Sequence, residues 1–384
     1  MLYISPKAIF APGRLPSDTA VLTDGDRIAA VGPAAAVPCP TGATRLPAGD
    51  LLLAPGFIDL QINGAFGLDF TADPSTIWEV GARLPQYGVT AFLPTIISSP
   101  LNTIAAAQEV LRQGPPPGYS GATPLGLHLE GPFLNPEKRG AHNPAHLRTP
   151  SLHDIEGWSP DQGVRLVTLA PELPGALDVV RELVSRGVVI SAGHSIATFD
   201  QARAGLQAGI TYGTHLFNAM PPLNHREPGL PGALLADPSV TVGVIPDGIH
   251  LHPSLVSLVL AAKGPGHLNL VTDAMAALSM PPGTYLLGDH QVITDGESVR
   301  LPNGTLAGSV LSLDEAVRNL VQFTGCRRNH AIITVTLTPA SLLGLGLSYG
   351  RIGLYCRADL TLLDSQLHVV ATIVDGEIAY STLN

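Results

Sequence analysis

Cysteine is scarce in this 384-residue chain. Cys39, Cys326 and Cys356 are odd in number and far apart. They form neither a disulfide framework nor a CxxC site, which fits a reducing compartment, so a cytoplasmic location is expected. Charge is scarce too: charged residues make up 14%, and the formal balance is −10. A nucleic-acid groove needs basic stripes and is not expected. One small anionic ligand remains possible, because a single Arg or a helix N-terminus can hold it. Lysine occurs at Lys7, Lys138 and Lys263, and none of these closes a candidate strand. Uncharged apolar runs stay below the ~18 residues of a membrane span, so no membrane segment is expected. The opening MLYISPKAIF has neither a basic start nor a long apolar stretch, and no secretory leader is expected.

What the chain does have is apolar residues, 45% of the total, enough for a large domain and a smaller one. Residues 17–32 and 366–380 each set an Asp-Gly pair, Asp24-Gly25 and Asp375-Gly376, between short apolar runs. Asp-Gly in that setting signals a hairpin, because the tight turn needs positive φ. Both ends are therefore read as strands of one small β domain, a β-sandwich built from residues 1–53 and 355–384. Between them, residues 56–63, 90–96, 125–131, 165–172, 188–195, 210–218, 241–250 and 267–274 are near-continuous apolar runs. Such runs suit parallel strands buried on both faces. Thr198-x-x-Gln201 and Ser312-x-x-Glu315 read as capping boxes opening helices in the gaps. The fold class predicted is α/β, a TIM-like (β/α)8 barrel over residues 54–354. A doubly wound sheet is the runner-up, but no GxGxxG follows any strand.

The ends of these strands are polar. They finish in Asp59, Gln61 and Asn63; in His128 and Glu130; in His194; in His215 with Asn218; in Asp247 with His250; and in Asp273. In a barrel all of them reach one rim, the face where such enzymes do chemistry. A carboxylate with two imidazoles suits a borderline divalent cation such as Zn²⁺ that keeps a position open for water. Lowering a bound water from pKa ~15.7 to ~7 stabilises the hydroxide by roughly 12 kcal/mol, and an amide carbonyl needs that nucleophile. Asp273 could serve as the proton relay such a reaction needs, or it could cap the next segment. His128 shares a face with Glu130 and could support it or simply fill the core.

PGFIDLQINGAFG (55–67), HLEGPFLNPEKRGAHNP (128–144), SAGHSIATFDQ (191–201), THLFNAMPPLNHREPGLPGA (214–233), DGIHLHP (247–253), LVTDAM (270–275) and NGTLAGS (303–309) together are more specific. In this set the chain resembles the N-acetylglucosamine-6-phosphate deacetylase family of the amidohydrolase superfamily. The resemblance implies that Glu130, His194 and His215 bind the metal. It implies that Asp273 takes a proton from the attacking water and then delivers it to the departing amine. His142 would polarise the acetyl carbonyl. His250 and the backbone amides around Asn218 and Ala219 would contact the sugar phosphate, and Leu306 would wall off the acetyl methyl. Arg226 would reach the phosphate in a neighbouring subunit, making a homodimer part of the site; a surface ion pair is its plainer reading.

Many amidohydrolases carry His-x-His on the first strand and hold two metals. Gln61 and Asn63 stand there instead, vestigial second-metal positions at which neutral amides replace imidazoles. One divalent cation per subunit is therefore expected, Zn²⁺ or Fe²⁺. The expected reaction is hydrolysis of N-acetylglucosamine 6-phosphate to glucosamine 6-phosphate and acetate. The alternatives are the galactosamine epimer, a cyclic-amide hydrolase and an inactive scaffold.

Overall fold

In the computed structural model, which describes residues 1–10 and 18–383, eight parallel strands form the middle of the chain. They are Phe57–Ile62, Val89–Ile97, Leu127–Glu130, Val164–Leu169, Val189–Ala192, Tyr212–Gly213, Thr241–Val244 and Leu268–Leu270. Each pairs with the next in parallel register. The ring closes between the first and last through an Ile62–Ala274 bridge, with Asp273 N–H donating to Gln61 C=O at 2.9 Å and Asn63 N–H to Ala274 C=O at 2.7 Å. All six residues of the first strand and all nine of the second are buried, as near-continuous apolar runs lead one to expect.

The outer helices bury one stripe each. In Ala176–Ser185 the buried set is Ala176, Val179, Val180 and Leu183, the i, i+3, i+4, i+7 pattern of a face laid against the barrel. Thr198 and Gln201 form the expected reciprocal capping box. Ser312 does not: its hydroxyl donates to Asp314 at 2.7 Å. A cap would need the Ser312 oxygen to accept a backbone N–H, and here the hydroxyl is turned to donate to the carboxylate instead. No helix among the described residues is long and apolar enough to cross a membrane.

Two departures from eight regular βα units shape the rim. The third strand is followed by an irregular stretch with 3₁₀ turns at Pro136–Lys138, Pro144–His146 and Pro160–Gln162 in place of an α-helix. Recurrent prolines there remove helix N–H donors. After the eighth strand comes a three-stranded antiparallel sheet, Gly283–Leu287, His290–Thr294 and Val299–Arg300, that the sequence reading did not anticipate.

The chain ends form two further sheets. One orders Arg27–Pro33, Thr19–Asp24, Leu2–Ile4 and Thr44–Leu46; the other orders Ala8–Ile9, Leu52–Pro55, Leu360–Leu363, Val369–Val374 and Glu377–Ser381. Ile4, Val21, Ile28, Leu53, Leu360, Leu362 and Ile373 from both sheets share one buried cluster, the sandwich core. Both Asp-Gly hairpins form, with Gly25 at φ 55 and Gly376 at φ 80 (Ser17, first residue of that stretch, lies outside the described residues). The two turns touch: a Cβ on Gly376 would run into the Gly25 carbonyl.

Candidate active site

Glu130 is the last residue of the third strand, but His194, His215 and Asp273 lie just beyond the ends of the fifth, sixth and eighth. All three adopt left-handed backbone, with φ of 50, 28 and 48. His and Asp visit that region more readily than branched residues, yet it costs energy that the surroundings must offset. The turn throws each side chain back over the mouth of the barrel. The same turning explains why the sixth strand is two residues long rather than the nine its apolar run suggested.

The ligand atoms of Glu130, His194 and His215 lie within 4.8 Å of one another, and all three residues are buried. Glu130 Oε1 is 3.2 Å from His194 Nε2 and 3.0 Å from His215 Nε2, and the two Nε2 atoms are 3.1 Å apart. Three donors held at ~2.05 Å around a tetrahedral cation would sit about 3.3 Å apart, so the spacing fits. Proton bookkeeping supports the same reading. His194 Nδ1 lies 2.8 Å from the Lys138 carbonyl, which can only accept, so Nδ1 carries the proton. In the neutral ring Nε2 then offers a lone pair toward a carboxylate oxygen, an arrangement that a cation between them makes favourable. Burial pushes the Glu130 carboxyl up, but His194 and His215 outweigh it and hold it well below the usual range. It is an anion, as a ligand must be.

Asp273 sits beside this triad on a frame of two amides. Asn63 Nδ2 donates to Asp273 Oδ1 at 2.7 Å, and Gln61 Nε2 donates to the same oxygen at 3.2 Å and to Glu130 Oε1 at 2.9 Å. Two carboxylate acceptors fix which way the Gln61 amide faces, and its Oε1 is left buried without a partner. Burial first, then the charge on Glu130, raise the Asp273 carboxyl to about 6, within reach of a proton-shuttling role near neutrality.

His142 reaches the site from the irregular stretch after the third strand. The Ser98 backbone N–H, which can only donate, points at His142 Nδ1 at 3.2 Å. Nδ1 is therefore an acceptor and Nε2 holds the proton, 3.8 Å from Glu130 Oε2. Burial above all lowers its pKa to about 3, so His142 is a neutral hydrogen-bond donor.

These groups line a cavity of about 460 Å³ with Asn218, Ala219, His250 and Leu306. His250 Nδ1 is 2.6 Å from Asp247 Oδ2, which orients its ring. Of the two loop amides, the N–H of Asn218 already donates to the His215 carbonyl at 2.9 Å, and its side chain is tied back to His215 C=O at 3.1 Å. Arg226 does not line the cavity; it is exposed, on the loop before Gly229–Ala236. Gln61 lies behind the lining, and Asn63 in it.

Sequence reasoning missed several supporting groups. Ser98 sets the tautomer of His142. Glu172 accepts from Asn135 Nδ2, Ser195 Oγ and Ile196 N–H at 3.0, 2.7 and 2.8 Å, binding the His142 stretch to the His194 turn. Asp59, read as a strand-end residue of no stated role, accepts from Thr272 Oγ1 at 2.6 Å across the barrel seam, and burial raises it to about 7. A carboxylate inside an apolar strand was the available signal for Asp59. Ser98 offered none: its N–H and its hydroxyl, 3.2 and 3.0 Å from His142 Nδ1, belong to no motif.

The model of the amidohydrolase family matches residues 52–379. An N-acetylglucosamine-6-phosphate deacetylase from Bos taurus is 42% identical over 348 residues, covering 86% of this chain and 84% of its own. An N-acetylgalactosamine-6-phosphate deacetylase from Escherichia coli O157:H7 is 38% identical, covering 90% and 92%. The crystal structure of the N-acetylglucosamine-6-phosphate deacetylase from Pasteurella multocida superposes with a TM-score of 0.91 at 30% identity, covering 98% and 99%.

Proposed function

From the premise that this chain belongs to the amidohydrolase family, and within it to the N-acetylglucosamine-6-phosphate deacetylases, we infer that it hydrolyses N-acetyl-D-glucosamine 6-phosphate to D-glucosamine 6-phosphate and acetate. The observation that carries this is the convergence of Glu130, His194 and His215 beside Asp273, where one cation, an amide and a proton shuttle can meet.

Glu130, His194 and His215 would hold one divalent cation, Zn²⁺ or Fe²⁺. Such a cation acidifies a bound water and polarises a carbonyl oxygen. Support for a single ion comes from Gln61, a neutral amide whose NH₂ donates to both Glu130 and Asp273. His142 presents Nε2–H to the acetyl oxygen, adding a neutral donor where negative charge grows. Asp273, ionised above about pH 6, takes the proton of the attacking water. It then delivers that proton to the sugar nitrogen, so that a neutral amine leaves. Leu306 packs against the acetyl methyl. His250, aimed by Asp247, and the Ala219 amide face the phosphate, with Asn218 shaping the loop. Arg226, exposed and outside its own cavity, would serve a neighbour's phosphate in a homodimer. The barrel over 54–354 carries the chemistry, the part built from 1–53 and 355–384 braces it, and the reaction belongs in the cytoplasm.

The relative from E. coli O157:H7 keeps the galactosamine epimer as a second reading. A cyclic-amide hydrolase is disfavoured, because Gln61 and Asn63 replace first-strand histidines. Acetate release from both epimers, each with and without phosphate, tests the proposal on metal-replete protein. The expected order puts phosphorylated N-acetylglucosamine first. No acetate from any of the four would overturn it.

A further inference from the structure

Beneath Glu130, His194 and His215 the barrel interior holds a chain of polar side chains to which the reaction assigns no task. His128, Thr168, Ser191 and Thr214 have no exposed surface. Barrel interiors are filled mainly by branched aliphatic layers, and buried hydroxyls are tolerated only when bonded. These are bonded in a line whose direction one carbonyl fixes. His128 Nδ1 lies 3.1 Å from Leu60 C=O and must donate to it. Nε2 is therefore an acceptor, and takes the Thr168 hydroxyl proton at 2.7 Å. Thr168 Oγ1, its own proton spent, accepts from Thr214 at 2.7 Å, and Thr214 accepts from Ser191 at 2.5 Å. The line thus runs from the first strand through the third and fourth to the sixth and fifth.

Each ligand candidate stands close to a link in this line. His128 is two residues before Glu130 on the same face, Thr214 immediately precedes His215, and Ser191 is three before His194. Gly193, next to His194, packs directly on the two threonines: a Cβ there would lie 2.9 Å from both Thr168 Cγ2 and Thr214 Cβ. The left-handed backbone at His194 and His215 needs restraint from its surroundings, and Gly193 is where this line supplies it.

We propose that the His128–Thr168–Thr214–Ser191 chain is a positioning device for the metal ligands, with the Thr168 hydroxyl as its central link. The proposal rests on the reading of Glu130, His194 and His215 as metal ligands. Hydrogen bonds have a fixed length and direction, whereas methyl contacts allow strands to slide by tenths of an ångström, enough to degrade a three-donor site. Supporting groups behind metal ligands commonly set affinity by 10- to 100-fold.

Isosteres separate the hydroxyl from mere packing. Metal-free wild type, Thr168→Val, Thr168→Ser and Thr214→Val are titrated with Zn²⁺ against a competing chelator, and their metal-free unfolding midpoints are measured alongside. Thr168→Val keeps the shape but strands His128 Nε2; its Zn²⁺ dissociation constant should rise about 10- to 100-fold. Thr168→Ser keeps the link and should stay within about 3-fold of wild type. Thr214→Val breaks the next link and should weaken Zn²⁺ in the same direction, so the inference stands or falls even if Thr168→Val does not fold. Valine variants that bind Zn²⁺ like wild type would overturn the proposal. So would serine and valine at 168 that weaken it equally, since the methyl on Gly193 would then be what matters. Wild type that binds no Zn²⁺ would instead refute the ligand reading beneath it.

Discussion

Replacing Asp273 by Asn probes the central step, and the structure fixes what the new side chain does. Asp273 Oδ1 accepts from Asn63 Nδ2 at 2.7 Å and from Gln61 Nε2 at 3.2 Å. An asparagine must keep its oxygen toward those two donors, because its NH₂ there would oppose theirs. Its NH₂ therefore takes the place of Oδ2, leaving no lone pair on that side to receive a proton. Positioned acid–base groups contribute typically 10²- to 10⁴-fold, so kcat should fall about a thousandfold, roughly 4 kcal/mol at the barrier. Metal content should be unchanged, because none of the three donors is altered. Wild-type kcat should decline as the pH falls toward the Asp273 pKa of about 6, or lower once a dication stabilises the carboxylate. The variant's residual rate should lack that limb. The assays are acetate release across pH, metal analysis, and calorimetric binding of the phosphorylated sugar to the slow variant. A variant that kept more than a tenth of kcat, or kept the acid limb, would remove Asp273 from the proton path.

Other outcomes follow from the same geometry. Arg226→Ala should raise KM for the phosphorylated sugar severalfold and barely affect the unphosphorylated one; steady-state kinetics with equal losses on both would point to a folding or assembly defect. Metal analysis of protein purified without chelators should give about one equivalent per chain, and two equivalents both needed for turnover would contradict the single-ion reading of Gln61. Asp59 is raised by burial from an ordinary 3.8 to about 7, so the folded protein binds the extra proton. Its stabilising contribution is full below about pH 4 and is lost as pH climbs through 7, worth roughly 4 kcal/mol at ~1.4 kcal/mol per pH unit. Asp59→Asn should therefore gain on wild type between pH 4 and 8 in paired urea titrations of metal-free protein, and a constant difference would show that Asp59 is not a buried proton-binding group.

Much of the barrel was legible because burial on both faces leaves near-continuous apolar runs of strand length, repeated between helical patterns. The runs at 57–62 and 89–97 are mostly apolar, interrupted by Asp59 and Gln61 in the first and by Thr90 and Thr95 in the second. The Asp-Gly pairs gave the terminal hairpins for a local reason, the positive φ of a two-residue turn. The hairpin at 283–294 was equally local, turning at Gly288-Asp289, and was overlooked. The missing helix after the third strand had its signal in the prolines at 132, 136, 144 and 150. Ser312 misled because the residue pattern of a capping box does not say which way the hydroxyl turns, and here it donates to Asp314.

The candidate site divides along the same line. Residue identity marks carboxylates and imidazoles where apolar runs end, and with them the chemistry of a bound dication. Which of them meet is a matter of three-dimensional closure. Glu130 and His215 are 85 positions apart, and the frame joining Asp273 to Gln61 spans 212. The ring of strands brings them within hydrogen-bond range, and left-handed turns that histidine and aspartate do not advertise aim them inward. The hydroxyl line beneath them looks, residue by residue, like ordinary small polar strand filling. Its direction exists only once a carbonyl on the first strand faces a histidine on the third. Composition and periodicity act between near neighbours along the chain, whereas proton direction, tautomer and ligand convergence depend on groups that folding alone makes adjacent.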